Sequence, residues 1–226
     1  MRQGFFNLIF PPLCYGCNEI LMHREIYICT YCLHHLERVP ISENAFPELL
    51  RRFYGKLKIK NASALLFYED GSIAKQLIHH LKYKNQQEIG IFLAEMVYER
   101  STNHRLFNTV DEIVSIPLHP KKQKERGYNQ LDFFCQKLSE LFNIPYNGER
   151  LKKNFYSKSQ TKKSLFSRSE IHQDMFTVNF DNTDSGKHFL LIDDVVTTGS
   201  TIEKAGNELL KIENVQLSIF TIACAR

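Results

Sequence analysis

The chain has 226 residues, room for one well-packed α/β domain and a small appendage. Hydrophobic residues make up 43% and charged residues 24%, which excludes a disordered or fibrous chain and predicts an ordinary soluble protein. The net charge of +4 permits an anionic partner without demanding one.

In chain order, the first feature is the apolar run Phe5, Phe6, Leu8, Ile9 and Phe10, broken by Pro11 and Pro12. It is about half a secretory core, and no small-residue cleavage site follows it. Bulky Leu13 precedes Cys14 where a lipoprotein needs a small residue. No later stretch approaches the roughly 20 apolar residues that span a bilayer. A cytoplasmic protein without membrane insertion is expected, in a compartment where clustered cysteines signal metal more than disulfides.

Cys14-x-x-Cys17 and Cys29-x-x-Cys32 hold four of the six cysteines. Each pair can place two thiolates on one ion, and four thiolates close a tetrahedral structural zinc site. A redox or incidental role for the two pairs is the alternative. His34 and His35 are left without a required role. The polar stretch from Pro40 to Pro47 then marks a boundary, so a zinc-ribbon head over 1–45 and a larger domain over 46–226 are expected.

Beyond Asn61 strands alternate with helices. Ala62 to Tyr68 reads as a strand, and Ile73, Leu77, Ile78 and Leu81 recur at helical spacing, as do Ile91, Phe92, Met96 and Val97. Ile113 to Ile116 is a short strand, and Leu131, Phe134, Cys135, Leu138 and Leu141 form one face of a helix. Phe176 to Phe180 is a further strand. Phe189 to Ile192 is a continuous apolar run, as expected of a strand buried on both faces. An amphipathic helix through Ile202, Ala205, Leu209 and Leu210 and a strand from Val215 to Ala223 complete the pattern. Such alternation predicts an α/β fold with a parallel sheet flanked by helices.

The richest stretch is Phe189-Leu-Leu-Ile-Asp-Asp-Val-Val-Thr-Thr-Gly-Ser-Thr201. Asp193 and Asp194 fall at the carboxyl end of the apolar strand, where ligands bind in open α/β sheets. Thr197 to Thr201 leads into a helix, whose first N–H groups and dipole suit a phosphate. Gly199 lets the backbone approach an anion, and the hydroxyls of Thr198, Ser200 and Thr201 can donate to it. Ionised carboxylates only accept hydrogen bonds, so they match the 2′- and 3′-hydroxyls of a ribose. Together they describe a ribose 5-phosphate site. The alternative is a plain strand, turn and helix, with Ser200 to Glu203 as a capping box.

Two basic stretches belong with this loop. Lys121, Lys122, Lys124 and Arg126 cluster in a loop after the strand ending near Ile116, and Lys162, Lys163 and Arg168 lie in a long basic connection. They suit a diphosphate or a nucleic-acid backbone. Tyr128, Phe155, Tyr156 and Phe166 interleave as stacking rings do in single-strand grooves. A solvated charged face is the alternative.

Asp193-Asp194 through Thr201 resembles the signature for the diphosphate-activated ribose PRPP in type I phosphoribosyltransferases. With the cysteine head, Pro117-Leu-His119 through Arg126-Gly-Tyr-Asn-Gln130, and Ser159-Gln-Thr161 through Arg168, the chain resembles the ComF family of bacterial competence-associated proteins. It departs from that family's pattern at Ile171, where an asparagine is usual. The resemblance implies a phosphoribosyltransferase-like fold, PRPP bound with Mg2+, and handling of transforming single-stranded DNA beside a helicase-like competence partner. An active transferase on an unidentified acceptor and a PRPP-sensing regulator remain open. No residue is singled out as catalytic.

Overall fold

The computed structural model describes residues 10–40, 46–83, 86–100, 106–154 and 175–226. Among these, the strands are β1 (Asn61–Tyr68), β2 (Glu112–Ser115), β3 (Leu151–Lys153), β4 (Phe176–Val178), β5 (His188–Val196) and β6 (Gln216–Ala225). The helices are α1 (Thr30–His35), α2 (Pro47–Arg51), α3 (Ile73–Tyr83), α4 (Glu88–Arg100), α5 (Pro120–Arg126), α6 (Asp132–Phe142) and α7 (Ser200–Leu209).

The expected parallel sheet forms, in the order β1, β6, β5, β2. Its central strands are apolar on both faces because helices cover both. On one face Leu190, Ile192 and Ile222 pack with α3, α4 and α6 through Leu77, Leu93 and Phe134. On the other, Leu191, Leu217 and Ile219 pack with α2 and α7 through Leu49 and Ile202. Each such fully buried side chain contributes roughly 1.5–3 kcal/mol.

Two sequence expectations shift in detail. The strand at Phe176 stops at Val178 and pairs with β3, outside the main sheet. On α4 the buried stripe is Ile89, Leu93, Ala94, Met96 and Val97, with Ile91 and Phe92 only half-buried. Phe92 turns instead toward Tyr27 of the cysteine segment, 5.7 Å between ring centres. That segment lies against the larger core: Cys14, Leu21, Ile28 and Cys32 belong to the same buried cluster as α3 and α4.

Both outer strands are covered. Beside β1, the N–H of Val39 donates to Leu65 O and the N–H of Phe67 to Glu37 O. Beside β2, Ile113 N–H donates to Pro145 O and Asn147 N–H to Ile113 O. The amino end of the sheet carries a buried ion network. Arg150 Nε donates to Glu112 at 2.7 Å and its Nη1 to Asp184 at 2.6 Å, and Lys187 reaches Asp184 at 2.6 Å.

Candidate functional site

β5 does not stop before the acidic pair. It runs through it, pairing Asp193 with Thr221 and Val196 with Cys224 of β6. The carboxylates are thus held by a paired strand, and only residues 197–199 form the turn into α7. Asp194 is buried, with Oδ1 2.9 Å from Lys82 Nζ and Oδ2 accepting from Gln130 Nε2 at 2.7 Å. Gln130 is oriented in turn by Arg126, which donates to its Oε1 at 2.8 Å. Asp193 Oδ1 accepts from the N–H of Asp194 at 2.8 Å. Burial, reinforced by the neighbouring Asp194 charge, pushes the Asp193 carboxyl up to about 7.

Gly199 begins α7 with φ 82°, and no side chain caps the helix. The capping-box alternative at Ser200 therefore does not form. A side chain built on Gly199 would come within 2.9 Å of the Phe53 ring, so glycine is demanded from the core side as well as by the left-handed backbone. Arg52 steadies the same turn, donating from Nη1 to Thr197 O at 2.7 Å and from Nη2 to Ala225 O. Thr197, Thr198, Ser200 and Thr201 are exposed around a small cup floored by Asp193 and Gly199. The Thr198 hydroxyl accepts the Ser200 N–H at 3.4 Å.

Beside the cup lies a cavity of about 280 Å3 that gathers Lys82, Lys122, Arg126 and Lys153 around Asp193 and Asp194. Desolvation holds Lys153 below the ordinary lysine value despite Asp193 nearby. The basic stretch after Pro117, expected as a loop, is the helix α5. His119 accepts the Lys121 N–H at 3.2 Å, Pro120 fills the first turn, and Gly127 closes the end. Helical spacing puts Lys122 and Arg126 on one side, toward the cavity. Lys121 and Lys124 are exposed and do not line it. Lys162, Lys163 and Arg168, with Phe155, Tyr156 and Phe166, lie outside the described residues.

In the cysteine segment the four Sγ atoms of Cys14, Cys17, Cys29 and Cys32 lie within 4.8 Å of one another. Cys17 and Cys29 are 3.8 Å apart at sulfur. A tetrahedral ion at a Zn–S distance of ~2.3 Å sets sulfurs about 3.8 Å apart, so the set fits one metal ion. The N–H groups of Cys29 and Gly16 point at Cys14 Sγ from 3.2 and 3.3 Å. Burial alone would raise that thiol, yet these N–H groups and that of Cys17 outweigh it and hold Cys14 at about 7. At Gly16 a Cβ would fall 2.9 Å from Cys32 Sγ, which explains a glycine inside the first knuckle.

No family model matches the chain. It is 31% identical over 140 residues to the DNA utilization protein YhgH of Escherichia coli, and that stretch is 60% of each chain. It is 29% identical over 154 residues to competence protein F of Haemophilus influenzae, covering 66% of this chain and 67% of that one. Over 214 residues, 93% of this chain and 83% of the other, it is 27% identical to competence protein ComFC of Bacillus subtilis. These similarities support the resemblance to the ComF family. Similar solved structures include adenine phosphoribosyltransferase from Leishmania tarentolae, at TM-score 0.37 and 12% identity, covering 82% of this chain and 93% of that one. UMP synthase from Leishmania donovani gives TM-score 0.36 and 16% identity, covering 77% of this chain and 30% of that one. Among the described residues, no helix is long and apolar enough to cross a membrane.

Around the acidic pair, the structure adds residues that no sequence pattern announces. Lys82 ends a helix read only for its apolar stripe, and Lys153 sits on β3 next to Lys152 without a pattern that separates the two. Arg52 and Phe53 follow the short helix α2, far from the turn they hold. In the sequence Gln130 is legible only as the end of the stretch from Arg126, without a role.

Proposed function

We propose that the chain binds a 5-phosphoribosyl ligand at the carboxyl end of its sheet. The observation that carries this reading is a pair of adjoining hollows that share Asp193, Val195 and Thr201. They offer a cup at the start of α7 for the 5-phosphate, Asp193 and Asp194 for the ribose diol, and four cations for a diphosphate. PRPP fits that order of groups, and Mg2+ would enter with it to offset the diphosphate charge. Asp194 already receives Lys82 and Gln130, so Asp193 is the freer acceptor for a hydroxyl. The head would hold one structural Zn2+ through Cys14, Cys17, Cys29 and Cys32, and the larger domain would begin near residue 46.

The names of its relatives, in DNA utilization and competence, support a role in handling DNA; we place that role in the cytoplasm, on incoming single-stranded DNA beside a helicase-like partner. Lys121 and Lys124, exposed on α5, would then meet the nucleic-acid backbone. A transferase reading is favoured by one observation. A second cavity of about 460 Å3 shares Pro117, Leu118 and Lys153 with the first, leaving room for an acceptor. Catalysis there would come from stabilising developing charge, not from a covalent nucleophile.

Calorimetry with PRPP and Mg2+, repeated with single-stranded DNA, tests these readings. PRPP should bind, and Asp194→Asn should weaken it roughly ten- to a hundred-fold, the worth of a charged hydrogen bond. DNA affinity should fall by about 0.7 log units per log of salt for each phosphate neutralised, with a shallower slope when Lys121 and Lys124 become glutamine. Release of diphosphate from PRPP would decide for the transferase. Absence of PRPP binding with and without Mg2+ would reject the site.

A further inference from the structure

Helix α3 touches both the cysteine head and the acidic pair. At its start, Ile73 Cγ2 lies 3.0 Å from the position of a Gly16 Cβ, inside the first knuckle. In its last turns the His80 ring stands 5.0 Å from the ring of Tyr15, the residue between Cys14 and Gly16. Two residues on, Lys82 reaches Asp194 at 2.9 Å. Between these points Leu77, Ile78 and Leu81 are buried in one cluster with Cys14 and Cys32. His80 Nδ1 is also 2.5 Å from Gln86 Oε1, which fixes the ring that Tyr15 covers.

From these contacts we infer that the metal head controls the ligand site through α3, with Tyr15 and His80 as positioning residues and Lys82 as the group they place. The proposal rests on the phosphoribosyl and zinc readings above. Ligation of Cys14 and Cys17 by one ion pins the short link that carries Tyr15. Without the ion that link is free to turn, Tyr15 leaves His80, and the end of α3 loses its cover. Lys82 then no longer holds Asp194, and a buried carboxylate is left without its cation beside Asp193. Packed helices shift between discrete arrangements instead of deforming smoothly, so the change reaches the site as a loss of order in α3. Linkage makes the effect reciprocal: a ligand that prefers the ordered site must tighten the metal's affinity, and affinity changes of this kind fall mostly on the off-rate, so the metal is lost more slowly.

The test uses the full chain loaded with one equivalent of zinc. A chromophoric chelator strips the metal, with and without ribose 5-phosphate at a concentration that calorimetry shows to be saturating. The ligand should slow zinc release about five-fold or more, the low end of ordinary coupling between sites. Tyr15→Leu should keep its zinc and still bind ribose 5-phosphate, but lose the slowing. Should Tyr15→Leu not fold, His80→Gln carries the same comparison. Lys82→Met should also lose the slowing and Lys82→Arg restore it, which a purely structural role for the side chain would not require. Binding of ribose 5-phosphate with no change in zinc release overturns the coupling alone. Failure of ribose 5-phosphate to bind the loaded protein overturns the phosphoribosyl reading and the coupling with it.

Discussion

The two ends of the sheet treat buried charge in opposite ways. At the amino end, Arg150, Glu112, Asp184 and Lys187 close a network in which each group faces an opposite charge. Burial works against ionisation of Asp184, but Lys187, the Asp181 N–H and Arg150 outweigh it and hold the carboxyl at about 2. At the carboxyl end, burial pushes Asp193 up to about 7 and holds Lys153 down, and both face open space. The first arrangement ties β2, the start of β3 and the entry to β5 together. The second keeps charges under-compensated until a ligand arrives, as functional sites do. Stability and binding are therefore separated along the same strands.

The sharpest way to break this comparison is Arg150→Met. It leaves Glu112 buried without its main cation and Asp184 with Lys187 alone, and should cost about 3–5 kcal/mol in urea unfolding. Ribose 5-phosphate affinity of the remaining folded protein should hold. A loss confined to binding would mean that the two ends are not separate.

A smaller effect of opposite sign is expected at Asp193→Asn. The native carboxyl stands at about 7 against an ordinary 3.8, so the folded state holds a proton that the unfolded chain releases earlier. The resulting stability is full below about pH 4 and lost as pH rises through 7. The asparagine variant should thus melt higher than the parent at pH 8, by on the order of 1–3 kcal/mol, and gain nothing at pH 4. An equal gain at both pH values would show that Asp193 is not penalised by burial.

The mildest test is Gly199→Ala, expected to cost roughly 1–2 kcal/mol for the left-handed backbone and the Phe53 contact. Part of that cost should return when Phe53→Leu is added, measured by thermal melting of the single and double variants. No recovery would leave the backbone as the whole cause.

What could be read in advance was contiguous. The stretch from Phe189 to Thr201 holds a strand, a diacid, hydroxyls and a helix start side by side, and only its strand length was misjudged. That error has a physical cause: pairing with β6 keeps Asp193 to Val196 in the sheet despite their polar start. The four cysteines were legible for the same reason. Arg52 was not, because it meets Thr197 across 145 positions of chain, and no local pattern announces such a contact. Charge also drew attention away from shape at α5, where proline and glycine at the ends signalled a helix that the lysines obscured.

The covered outer strands have a consequence for how this molecule meets others. A bare sheet edge recruits extended peptide by adding it as one more strand, and it seeds aggregation in the same manner. Here residues 37–39 occupy one margin and residues 145–147 the other, with backbone hydrogen bonds already spent. Strand addition at those positions would first require peeling the chain off itself. Recognition is thereby channelled to side chains and loop surfaces, and the sheet is protected from growing into fibres along these two margins.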